Sequence, residues 1–143
     1  DEMKVLALSR ERVGAWIPME FSIIISITDP SSPPAFLPIN GFVKAVLRLS
    51  FHDIDRSYGD IPELILFSDE QADEILNFMK SNVYEVTCIV CHCEAGVSRS
   101  RGVAAALQKI LFDDDSAAFK RGRPNMHVYS TLLRRWHEML RLV

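Results

Sequence analysis

The run FSIIISITD, residues 21–29, sets the tightest limit on what this chain can fold into. A strand with one wet face alternates apolar and polar side chains. This run is β-branched and almost continuously apolar, as a strand covered on both faces requires. Such strands lie inside a mainly parallel sheet with helices on either side. The rest of the chain supplies the other parts. MKVLALS (3–9), FVKAVLRLSF (42–51) and YEVTCIVCHC (84–93) read as three further strands. SRERVGAW opens a short helix at Ser9, and PSSPPAFLPING is a loop punctuated by proline and Asn-Gly. SDEQADEILNFMKSN has Ser68 as N-cap and an apolar stripe at Ala72, Ile75, Leu76 and Met79, so it is a helix. DDDSAAFKRGRP predicts a short helix stopped by Gly122 and Pro124. NMHVYSTLLRRWHEMLRL predicts a final amphipathic helix whose Trp136 and leucines are core. There is no repeat or low-complexity tract. The expected fold is a single α/β domain over residues 1–143, a central mainly parallel sheet flanked by helices.

Charge and composition exclude several classes. A formal net charge of −3 argues against a nucleic-acid partner, whose binding footprint is basic. No apolar run is long enough to cross a membrane. DEMKVLALS has no basic region ahead of its apolar stretch, so no secretory leader is expected. Cys88, Cys91 and Cys93 crowd into one strand, an odd set that does not make a disulfide framework. Reduced thiols point to a cytoplasmic location. A monomer is the default expectation.

CHCEAGVSRSRG, residues 91–102, carries the chemistry. It joins the apolar strand before it to the helical VAAALQKILF after it. A thiol at a helix N-terminus faces unpaired N–H groups and the positive end of the helix dipole, which favour the thiolate. The same amides, from Glu94, Ala95, Gly96, Val97 and Ser98, can cradle a phosphate. Gly96 lets the backbone close round it. Arg99 adds a planar charged fork that suits two phosphoryl oxygens. The Ser100 hydroxyl can reach the Cys93 sulfur and stabilise it as a leaving group, and His92 can pin the loop through its ring nitrogens. The parts describe an activated thiolate beneath a bound phosphate, hence phosphoryl transfer through a cysteinyl-phosphate.

HCEAGVSRS resembles the signature loop of the cysteine-dependent protein tyrosine phosphatases, His-Cys-x-x-Gly-x-Ser-Arg-Ser, most closely the dual-specificity type. The resemblance implies a phosphatase-type Cys-x5-Arg loop between a strand and a helix. Cys93 is then the nucleophile and Arg99 the phosphate ligand. It runs from about Val43 to the end and includes GRPNMHVYSTLLRRW, where Asn125 takes the place of an asparagine that braces the phosphate loop. Asn125 is also placed as a helix N-cap, and one side chain does not easily serve both ends. No counterpart of a phosphotyrosine-recognition loop is present, which implies a shallow pocket.

Ester cleavage needs a proton for the leaving oxygen, so a separate carboxylic acid is required. SFHDIDRSYGD offers Asp53, Asp55 and Asp60. RLSFHD resembles the family's strand ending Arg-Ile-Pro-Val-Glu-Asp, which selects Asp53 ahead of Asp55. No metal or organic cofactor is called for, because loop amides and Arg99 supply the electrostatics. The expected partner is a phosphorylated protein carrying phosphotyrosine, with phosphoserine or phosphothreonine as further substrates. Glu94 in the loop is expected to repel more highly charged esters such as phosphoinositides, nucleotides or RNA ends. A third reading is a phosphate-binding module with weak turnover. The KRGR turn at 120–123 reads as a solvated basic segment.

Overall fold

The computed structural model describes residues 3–142; the acidic pair that opens the sequence and the final valine lie outside them. Four strands, β1 (Lys4–Ser9), β2 (Ser22–Thr28), β3 (Val43–Ser50) and β4 (Cys88–Cys93), form one sheet in the order β1-β4-β2-β3. Every pairing is parallel. The register sets Ser9 beside Cys93, Ser26 beside His92 and Thr28 beside Ser50, so the strands finish along one edge. In parallel sheets that carboxyl edge is where ligands bind.

β2 lies inside the sheet and all its residues are buried, as its unbroken apolar run requires. Alternate isoleucines serve opposite faces. Ile23, Ile25 and Ile27 pack with Ile75 and Leu76 of α2 (Asp69–Asn82) and with helices α3 (Arg99–Phe112) and α5 (Met126–Arg141). Ile24 turns the other way, onto Val13 of α1 (Arg10–Ala15) and onto Ala35 and Leu37 of the proline-rich loop. One face is therefore covered by three long helices and the other by one short helix and a loop.

Local signals set the helix boundaries. Ser9 caps α1 by accepting from the Arg12 amide at 3.1 Å. Ser68 and Gln71 form a reciprocal capping box at the start of α2, and the Ala72, Ile75, Leu76 and Met79 stripe is buried. A short helix α4 (Ser116–Lys120) precedes Gly122 as expected. Two expectations are corrected. YEVTC does not start a strand: Val83–Glu85 continue α2 as a 3-10 turn, Tyr84 is 97% exposed, and β4 begins only at Cys88. The leucines of α5 are not all core: Leu132 is buried, whereas Leu140 and Leu142 face solvent at the end of the helix.

α3 and α5 cross closely at Gly102. A Cβ there would lie 2.7 Å from the Asn125 carbonyl oxygen and 3.1 Å from the Val128 side chain. Replacing Gly102 by Ala gains about 1 kcal/mol of helix propensity but overpacks against backbone, at about 1–3 kcal/mol. The clash wins because backbone cannot step aside. Gly102→Ala is expected to lower stability in urea unfolding; a more stable variant would show that the helices separate freely.

Candidate active site

β4 ends at Cys93, and residues 94–98 loop back over the carboxyl edge before α3 begins at Arg99. The loop is shaped by its contact with β1. Gly96 has φ +76°, and a Cβ there would lie 2.5 Å from the Ser9 nitrogen. Only glycine satisfies both the left-handed backbone and that approach. Across the same contact, the Arg10 amide donates to the Glu94 carbonyl at 3.1 Å. The Arg10 guanidinium binds the Glu94 carboxylate at 3.1 Å and donates to the carbonyls of Pro33 and Pro34 at 2.9 and 3.1 Å. Glu94 is thus already paired, and its expected repulsion of extra phosphates is correspondingly weakened.

Donors converge on the Cys93 sulfur. The amides of Gly96 and Ser100 lie 3.3 and 3.4 Å from Sγ, and the Ser100 hydroxyl lies 3.1 Å from it. All three are placed to donate to a thiolate. Ser100 is fully buried and Cys93 nearly so, 2% exposed, at the floor of the loop. Behind the sulfur, buried His92 sets Nε2 2.6 Å from the Ser26 hydroxyl and Nδ1 3.3 Å from the Cys93 carbonyl. A carbonyl only accepts, so Nδ1 carries the proton, and the Ser26 hydroxyl donates to Nε2. The neutral ring ties the end of β4 to β2 through these two bonds.

Arg99 shows a partner that motif reading missed. Its Nη1 donates to Asp29 Oδ1 at 2.6 Å and to the Phe51 carbonyl at 2.9 Å. Nε is buried and has no acceptor among the described residues. A buried unpaired guanidinium N–H is costly. Here Asp29 and Phe51 orient the group from one side while one donor stays unsatisfied. Asp29 follows the last residue of β2, so only the shared carboxyl edge brings it to a side chain seventy positions away. Its one sequence signal was an acid immediately after a fully buried strand.

The loops that follow β3 and β4 meet at the carboxyl edge. Asp53 Oδ1 accepts from the Ser98 hydroxyl at 2.7 Å and from Asn125 Nδ2 at 3.0 Å. Oδ2 takes no hydrogen bond among the described residues. Asp55 pairs with its neighbour Arg56 at 3.2 Å, and both are exposed. A groove of about 370 Å³ beside the loop is lined by Asp53, Asp55, Tyr58, Ser98, Arg123 and Asn125, among others. Asn125 corrects the either-or expectation. Its Oδ1 accepts from the Val128 amide and caps α5, while Nδ2 donates to Asp53 and to the Ile54 carbonyl, each at 3.0 Å. Its backbone amide donates to the Ser98 carbonyl at 2.9 Å. It braces the phosphate-type loop through backbone and the aspartate loop through side chain.

No family model matches this sequence, and no curated protein does. Solved structures are similar across most of the chain. PTPMT1 in complex with PI(5)P matches at 17% identity with a TM-score of 0.61, covering 98% of this chain and 95% of that one. Human DUSP28 matches at 15% identity and TM-score 0.58, covering 97% and 95%. A human tyrosine phosphatase-like serine/threonine/tyrosine-interacting protein matches at 18% identity and TM-score 0.55, covering 86% and 80%. The fold is therefore dual-specificity-phosphatase-like.

Burial within the strand keeps Cys88 and Cys91 protonated. It pushes Cys88 up to about 11 and raises Cys91 further. Iodoacetate at pH 7 is expected to alkylate Cys93 and spare the other two, as peptide mapping would show; equal labelling of Cys88 would contradict this. Burial also holds the His92 imidazole below its ordinary value. The unfolded chain then binds that proton at a higher pH than the folded one. Stability contributed by neutral His92 is expected to be lost as pH falls below about 6.5. Thermal unfolding from pH 7.5 to 5 should show the slope in the wild type and a shallower one in His92→Gln.

Proposed function

We propose that this chain is a cysteine-dependent phosphatase that hydrolyses phosphotyrosine in proteins, and phosphoserine or phosphothreonine where they reach the same shallow site. The observation that carries the reading is the convergence of two amides and a hydroxyl on the Cys93 sulfur, with Arg99 held beside the same loop.

The residues divide the work as follows. Loop amides and Arg99 hold the phosphoryl oxygens, and the unsatisfied Arg99 Nε–H gains an acceptor when they arrive. The Cys93 thiolate attacks phosphorus, forming an S–P bond as the P–O bond to the leaving group breaks. Asp53, oriented through Oδ1, gives the proton on Oδ2 to the leaving oxygen. The resulting carboxylate then takes a proton from water, whose oxygen attacks the cysteinyl-phosphate. The S–P bond breaks and releases inorganic phosphate, while the Ser100 hydroxyl stabilises the returning thiolate. Asp53 is favoured over Asp55 because Ser98 and Asn125 draw its carboxylate to the loop, whereas Asp55 pairs with its neighbour Arg56.

A phosphorylated lipid or another small phosphate ester is the second reading. The neutralisation of Glu94 by Arg10 supports it, because the loop's one acidic side chain is already paired.

Hydrolysis of p-nitrophenyl phosphate in the presence of chelator tests the mechanism. Cys93→Ser is expected to abolish turnover, and Asp53→Asn to lower kcat about 100-fold. Vanadate, which adopts the trigonal bipyramidal geometry of the transition state, is expected to inhibit. Phosphotyrosine peptides turned over more efficiently than phosphoinositides would favour the protein substrate, and the reverse order the second reading. Phosphate binding without wild-type turnover would leave a phosphate-binding module.

A further inference from the structure

The loop that carries Asp53 contains no helix or strand from residue 53 to 64. Such a segment has many conformations, and a general acid on it needs something to hold it. The first residues of the loop are held from outside: Asn125 donates to Asp53 and Ile54, and the Ser98 hydroxyl donates to Asp53. The neck is held differently. The His52 amide donates to the Ile65 carbonyl at 2.8 Å, and the Ile65 amide donates to His52 Nδ1, also at 2.8 Å. Where the loop returns, the Ile65 backbone donor is thus satisfied by an imidazole. Below this pair Phe51 and Phe67 are buried, with ring centroids 4.8 Å apart. His52 is the last tie before the loop leaves the core, and Asp53 is the next residue.

We propose that His52 is a positioning residue for Asp53. Its Nδ1 acts as a backbone acceptor that closes the loop at its neck and limits the directions the Asp53 carboxyl can take. Accepting from the Ile65 N–H requires Nδ1 without a proton, so the neutral ring carries it on Nε2. Ala at this position removes the acceptor, leaves the Ile65 amide unpaired and moves the effective closure back to Phe51 and Phe67. Asn can restore it, because its Oδ1 sits where Nδ1 does relative to the backbone. The proposal rests on the reading of Asp53 as the acid.

The discriminating measurement is kcat/KM on two esters, phenyl phosphate and 2,4-dinitrophenyl phosphate, for wild type, His52→Ala, His52→Asn and Asp53→Asn. A poor leaving group needs the acid and a good one leaves unaided. His52→Ala is expected to lose about tenfold or more on phenyl phosphate and less than about twofold on the activated ester, a pattern that Asp53→Asn exaggerates. His52→Asn is expected to recover most of the loss. Hydrogen exchange should quicken across residues 53–65 in His52→Ala, with α3 and β4 unchanged. Equal loss on both esters, or unchanged exchange in the loop, overturns the role of His52 alone. A wild type inactive even on the activated ester overturns the phosphatase reading and this assignment with it.

Discussion

Asn125 ties together the three segments that make the site. Its amide holds the Ser98 carbonyl, its Oδ1 starts α5, and its Nδ2 holds the aspartate loop at Asp53 and Ile54. Each bond alone contributes about 1 kcal/mol. Their joint effect is geometric, because displacement of α5 moves the phosphate-type loop and the aspartate loop together. The tight α3–α5 crossing at Gly102 lies against the Asn125 carbonyl, so helix packing and site geometry share one contact.

The charges of the site are arranged in pairs. Arg10 neutralises Glu94, and Asp29 orients Arg99. These pairs differ in kind. Arg10 and Glu94 are partly exposed, so their attraction is screened and modest; Arg10 matters mainly because it also grips Pro33 and Pro34. Arg99 is nearly buried, and its ion pair with half-exposed Asp29 leaves Nε–H unsatisfied. Under the proposed function, a bound oxyanion would give that N–H its acceptor. On that reading the loop receives an anion without excess positive charge, in keeping with a chain of net charge −3.

Much of this was legible along the chain. The unbroken apolar run of β2 predicted a covered parallel sheet, and the stripe of α2 predicted its buried face. Cys93, Arg99 and Ser100 lie within one strand–loop–helix unit, where local spacing dictates who can touch whom. Their mutual geometry therefore followed from the motif. The reading of YEVTC failed because propensity says nothing about how far α2 carries on before the chain turns. The double duty of Asn125 was unreadable for a related reason: its two ends serve partners three residues and seventy-two residues away.

By itself the sequence determined the strand–loop–helix unit, the thiol at the helix start and the glycine that lets the loop turn, since these depend on neighbours in the chain. Only the tertiary structure decided what holds the Asp53 carboxylate against the loop, what orients Arg99 and what pairs with Glu94. Asp53, Asp29 and Arg10 reach the site from three other crossings of the sheet. Their arrival depends on strand order and register, which place every carboxyl end on one edge. Contacts of that kind are set by how elements pack against one another, and packing is a property of the assembled fold.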